Sequence, residues 1–122
     1  MNSVICKKKM IQVYHNSRCG KSREAIKILE NSGVEFEIIK YLENPPNADE
    51  INKLLKKLDF NPIELVRQKE SIWIEKYKSK NLTKQDIVKA LIEYPILIER
   101  PILIDKEKAI IARSPDKVNA FL

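Results

Sequence analysis

The chemistry in this sequence gathers on one thiol. Cys19 lies in the stretch Tyr14-His15-Asn16-Ser17-Arg18-Cys19-Gly20-Lys21-Ser22-Arg23, between a short apolar run and a helix-like run. A thiol is nucleophilic as its thiolate, so the question is whether its surroundings favour negative charge. Two features do. The cysteine stands where a helix would begin, and the unpaired N–H groups and dipole of a helix N-terminus favour an anion. Arg18, Lys21 and Arg23 add positive charge within a few residues of the sulfur. The same features suit a small oxyanion. An isolated intracellular cysteine is more often a small buried residue, but this setting predicts a nucleophilic Cys19 in a loop that also holds an oxyanion.

The flanking elements must position that loop. Met10 to Tyr14 is β-branched and aromatic and predicts a buried strand. Ala25, Ile26, Ile28 and Leu29 recur at helical spacing between Ser22 and Asn31, and Asn31-Ser32-Gly33 supplies a stop with glycine at the left-handed position. Phe36, Ile38 and Ile39 predict a second strand ending near Tyr41. The result is a βαβ unit, with a right-handed connection expected and the thiol at its first turn.

Asn44-Pro45-Pro46-Asn47 breaks the pattern and offers an N-cap, and beyond it the spacing of Ile51, Leu54, Leu55 and Leu58 predicts a helix with one apolar face. Asn61-Pro62 opens a short helical piece, Ile63 to Val66, that reaches Arg67. Glu70 to Tyr77 reads as a helix whose Trp73 and isoleucines belong to the core. Thr83-Lys84-Gln85-Asp86 caps another helix running through Ile92. Ile102-Leu103-Ile104 and Ala109-Ile110-Ile111-Ala112 flank the polar turn Asp105-Lys106-Glu107-Lys108 and predict an antiparallel hairpin. Ser114-Pro115-Asp116 caps a last short helix. The order βαβ, helices, ββα predicts an α/β, thioredoxin-like fold with a mixed sheet. We expect one domain over residues 1–122, with a helical insertion at about 44–92 and a poorly defined leader at 1–9.

Composition agrees with a small globular protein. The chain has 122 residues, 43% of them hydrophobic, which is enough for a core. Charged residues at 33% and only two glycines argue for a helix-rich domain and against disorder. The net charge of +6 suits an anionic substrate, an acidic partner or nucleic acid, but lysines spread along the whole chain read first as a solvated surface. Two cysteines make no disulfide framework, and Met1 to Cys6 is too short for a secretory apolar segment before Lys7-Lys8-Lys9. A cytoplasmic protein, with its thiols kept reduced, is expected.

Four segments together resemble the glutaredoxin-coupled arsenate reductase family. Tyr14-His15-Asn16 with Cys19-Gly20-Lys21-Ser22-Arg23 looks like its active-site segment. Tyr41-Leu42-Glu43-Asn44-Pro45-Pro46, Glu64-Leu65-Val66-Arg67 and Pro95-Ile96-Leu97-Ile98-Glu99-Arg100-Pro101-Ile102 follow in family order. The resemblance implies that Cys19 attacks arsenate, that glutathione attacks the adduct, and that glutaredoxin resolves the product and releases arsenite. It places Arg67, Arg100 and Arg113 on the oxyanion, with His15, Gly20, Ser22 and Arg23 supporting the thiol. Pro101 matches a cis-proline that faces the catalytic cysteine. Glutathione is implied as co-substrate, with no bound cofactor or metal and with neither nucleic acid nor membrane as partner. Three arginines suit a tetrahedral oxyanion, since guanidinium presents several fixed donors.

Departures from the family pattern bear on function. Ser17-Arg18 stands where proline and a variable residue are common, and Arg113-Ser114-Pro115 inverts the usual Arg-Pro-Ser order. Ser22 occupies the position of a second cysteine in Cys-x-x-Cys, which predicts an external thiol as reductant. Cys6 lies outside the motif and is not expected to resolve the adduct. Two alternatives share the scaffold: a glutathione-dependent thiol oxidoreductase acting on another substrate, and an Spx-like regulator that binds RNA polymerase. The missing Cys-x-x-Cys weakens the second.

Overall fold

The computed structural model describes residues 10–122. The expected leader and Cys6 lie outside the described residues. The chain divides into two compact units, one made of residues up to 39 and from 100 onward, the other of residues 40–99.

The first unit holds the sheet. β1 (Met10–Tyr14), β2 (Glu35–Ile39), β3 (Ile102–Ile104) and β4 (Ala109–Ile111) stand in the order β2-β1-β3-β4. β1 runs parallel to β2 and antiparallel to β3, and β3 runs antiparallel to β4. This is the mixed sheet expected from βαβ followed by a hairpin. The second strand ends at Ile39, short of Tyr41, because the chain turns at Lys40, whose carbonyl accepts from the N–H groups of Glu43 and Asn44.

α1 (Gly20–Ser32) begins two residues earlier than its apolar spacing suggests, and Gly33 ends it at φ 80°, where a side chain would be strained. α5 (Pro115–Phe121) opens on Ser114, whose hydroxyl accepts from the Lys117 N–H at 3.3 Å. Ile11 and Val13 of β1, Ala25 and Leu29 of α1, Leu103 of β3, Ala112, and Val118 and Phe121 of α5 form one buried cluster. Fully burying one of its valine, leucine, isoleucine or phenylalanine side chains contributes about 1.5–3 kcal/mol. That packing fixes α1 against the strand that feeds it, and so fixes the loop between them.

In the second unit, α2 (Ala48–Leu58) has the predicted cap. Asn47 Oδ1 accepts from the Glu50 N–H at 2.9 Å, and the Asn47 N–H donates to the Glu50 carboxylate at 3.0 Å. Ile51, Leu54, Leu55 and Leu58 are all buried. α3 (Ser71–Lys76) is short and α4 (Lys84–Glu93) carries the expected Thr83–Asp86 box. Trp73 is buried and stacks on Tyr77, but Ile74 is 49% exposed and does not join the core. On a helix of fewer than two turns only one side is covered, and Ile74 falls off it. Val66 is extended rather than helical: the one-turn 3₁₀ segment stops at Leu65, and Val66 bridges Ile98 in antiparallel fashion.

Candidate active site

The loop leaves the carboxyl end of β1. Its first residue extends the parallel ladder, the His15 N–H donating to the Ile39 carbonyl at 3.0 Å, and the His15 side chain is buried. Asn16 then turns the chain. Its Oδ1 accepts from the Arg18 N–H at 3.0 Å, and its carbonyl accepts from the Cys19 N–H at 2.9 Å. The Asn16 N–H in turn donates to Ser22 Oγ at 3.4 Å, with both residues buried. An asparagine that bonds the backbone two residues on is a recurrent turn device. Asn16 is therefore an organiser of the site, a role that its place in the motif alone does not reveal.

Cys19 is the N-cap of α1, in extended conformation at φ −93° and ψ 121°. A serine or threonine here would accept a close bond from the second or third helical N–H. Sulfur is larger and a weaker acceptor, and Cys19 makes no cap bond of that close kind. The N–H groups of those two positions, Lys21 and Ser22, still bear on the sulfur. Partial burial pushes the thiol up. The Ser22 and Lys21 N–H groups, the Arg100 guanidinium and the Ser22 hydroxyl outweigh it and bring the pKa down to about 7. About half of Cys19 is thus thiolate at neutral pH. Among the described residues, no cluster of His, Cys, Asp or Glu is placed to hold a metal ion.

The cation on the sulfur is not one of the three nearest in sequence. Arg18, Lys21 and Arg23 are exposed, and Arg23 donates through Nη1 to the Ser17 carbonyl at 2.9 Å. Arg23 braces the loop from outside. Arg100 is the buried one, at 6% exposure, and it reaches the thiol from the far side of the chain. The Arg100–Pro101 peptide is cis, and Pro101 is buried beside it. Arg113 joins this group by donating through Nη1 to the Arg100 carbonyl at 2.7 Å. Gly20 has room for a side chain, since an added Cβ would meet only the tip of Arg23 at 3.7 Å. Its place in the motif is not a steric requirement.

Arg67 belongs to the second unit. Its N–H donates to the Leu97 carbonyl at 2.7 Å, next to the Val66–Ile98 bridge, and the Glu99 N–H donates to the Leu65 carbonyl at 2.9 Å. Its side chain, 29% exposed, pairs with Glu70 at 3.4 Å. The backbone is anchored twice and the guanidinium is partly neutralised.

The ArsC family pattern matches residues 14–121. The Escherichia coli protein called "Uncharacterized protein YfgD" is 41% identical over 112 residues, covering 90% of this chain and 94% of that protein. The arsenate reductase of Haemophilus influenzae is 39% identical over 116 residues, covering 90% and 97%. The structure of arsenate reductase from Vibrio cholerae matches with a TM-score of 0.88 at 35% identity, covering 95% of this chain and all of that one. The mixed sheet with its helices is the thioredoxin-like fold of that structure.

Proposed function

The chain belongs to the ArsC family, and from that premise we propose that it reduces arsenate to arsenite through Cys19, with glutathione and glutaredoxin as reductants. The observation that carries this reading is the thiol itself: at the N-cap of α1, with Arg100 on its sulfur, Cys19 ionises at about 7.

The chemistry runs in balanced steps. The Cys19 thiolate attacks arsenic(V), an S–As bond forms, and one arsenate hydroxyl takes a proton from solvent and leaves as water. The positive ends of the Lys21 and Ser22 N–H groups and the Arg100 guanidinium stabilise charge on the incoming oxyanion as they do on the sulfur. Glutathione thiol displaces a second oxygen as water, so that arsenic lies between two sulfurs. Glutaredoxin thiolate attacks the glutathione sulfur. That As–S bond breaks with its electron pair left on arsenic, which becomes arsenic(III), and a glutathione–glutaredoxin disulfide departs. Water cleaves the remaining S–As bond, releasing arsenite and the Cys19 thiol. Because Ser22 takes the place of a second cysteine, the oxidising equivalents leave on an outside thiol.

We place the cycle in a reducing compartment such as the cytoplasm; no helix among the described residues is long and apolar enough to cross a membrane. The test is a coupled assay in which the protein, glutathione, glutaredoxin and an NADPH-dependent disulfide reductase meet arsenate. Arsenate-dependent NADPH oxidation is expected. None, from folded and reduced protein, overturns the reading. Turnover with thioredoxin in place of glutaredoxin, and none with glutaredoxin, would leave arsenate as substrate and remove the assigned reductant.

A further inference from the structure

The hairpin that ends at Pro101 has a weak last rung. β3 and β4 pair Ile102 with Ile111, Leu103 with Ile110 and Ile104 with Ala109. One residue beyond that register Ala112 stands opposite Pro101, and the chain bends at Arg100. The Ala112 N–H donates to the Pro101 carbonyl at 2.9 Å. Proline has no N–H to return, so one bond stands where an antiparallel pair would exchange two.

At the next position a side chain takes over. Arg113 Nη1 reaches the Arg100 carbonyl at 2.7 Å, a short bond assisted by the charge on its donor. Arg113 is well anchored for this. Ala112 before it is buried and bonded, and Ser114 after it caps α5. The residue whose main chain it holds is the one whose buried guanidinium lies on Cys19.

We propose that Arg113 is a positioning residue: by clamping the Arg100 main chain where Pro101 leaves the strand end under-bonded, it fixes the Arg100 guanidinium on the Cys19 sulfur. Its part in turnover rests on the reading of Cys19 as the nucleophile. An arginine that bore on the thiolate only by its own charge would act whether or not Arg100 is present, whereas a clamp acts through the Arg100 side chain, and that difference makes the two separable.

The experiment titrates Cys19 in free protein by the rate of iodoacetamide alkylation against pH. A Cys6→Ser background leaves a single reporting thiol, and the proteins compared are the parent, Arg113→Ala, Arg100→Ala and the double variant. Arg113→Ala is expected to raise the midpoint by about one pH unit, the order expected when a cationic donor leaves a thiolate. Added to Arg100→Ala it should raise the midpoint no further, because residues acting through one group are not additive. A midpoint unchanged by Arg113→Ala overturns the inference. So does an equal rise with and without the Arg100 side chain, which would mean that Arg113 contributes only its charge. If Arg113→Ala does not fold, Arg113→Met fills similar volume without a donor and is judged on the same two criteria. No arsenate enters the titration, so its result and that of the turnover assay are read independently.

Discussion

Replacing Arg100 with alanine removes one of several groups that hold the Cys19 thiolate, and the structure ranks them. Burial acts against the charge, the Ser22 and Lys21 N–H groups act most strongly for it, and Arg100 and the Ser22 hydroxyl follow. The main-chain donors survive the substitution, because they belong to the first turn of α1. Truncating a buried guanidinium also admits water to the sulfur, which relieves part of the burial that opposed ionisation. A nearby opposite charge shifts a pKa by about 1–3 units, and with that relief the lower end applies. The midpoint should therefore rise from about 7 to about 8, still below the ordinary thiol value of about 8.5. At pH 7 the thiolate fraction falls from about one half to about one tenth, so alkylation by iodoacetamide slows about fivefold. At high pH, where both thiols are ionised, the two rates converge. Two results would refute the reasoning. An unchanged midpoint means that Arg100 does not act on the sulfur, and a midpoint at or above about 8.5 means that the helix N-terminus contributes nothing.

Three further expectations concern the nucleophile, its charge and the oxyanion. Cys19→Ser should abolish arsenate turnover while Cys6→Ser retains most of it, and equal loss in both would defeat a single-cysteine mechanism. Cys19 ionises lower in the folded than in the unfolded chain, so between about 7 and the ordinary thiol value the unfolded chain binds more protons. Its contribution to stability should rise with pH across that window, persist above it, and be lost as pH falls through about 7. Denaturant unfolding of the parent should show that slope relative to Cys19→Ser, and parallel curves would contradict it. Arg67→Ala should raise the KM for arsenate about tenfold or more while leaving the Cys19 titration midpoint unmoved. This expectation comes from the family resemblance, and an unchanged KM would remove Arg67 from oxyanion binding.

The parts of the fold set by local rules could be read from the sequence. The apolar run before Cys19 and the helical spacing after it put the thiol at a helix N-terminus, Gly33 marked the end of that helix, and Asn47, Thr83 and Ser114 marked the starts of three others. Cys19 itself was legible for the same reason. Its electrostatics were only partly so. Proximity in sequence suggested Arg18, Lys21 and Arg23 as the cations around the sulfur, yet these are exposed, and Arg23 turns back to the Ser17 carbonyl. The charged side chain that reaches the sulfur comes from Arg100, which the family pattern assigned to the oxyanion. Charge patterning along a chain cannot reveal which arginine a strand end will carry inward. The bond from Arg113 to a main-chain carbonyl was likewise hidden, because it depends on hairpin register and on the missing N–H of Pro101. Ile74 was misread for a simpler reason: on a short helix, apolar character does not guarantee a partner.

The most direct measurement of the central claim is the arsenic itself. Arsenate incubated with the protein, glutathione, glutaredoxin and the NADPH-coupled reductase would be separated from arsenite by chromatography and both species quantified. The account predicts arsenite appearing in step with NADPH consumed, one for one, and only background arsenite with Cys19→Ser. Arsenite formed equally well by Cys19→Ser, or NADPH consumed without arsenite, would contradict it.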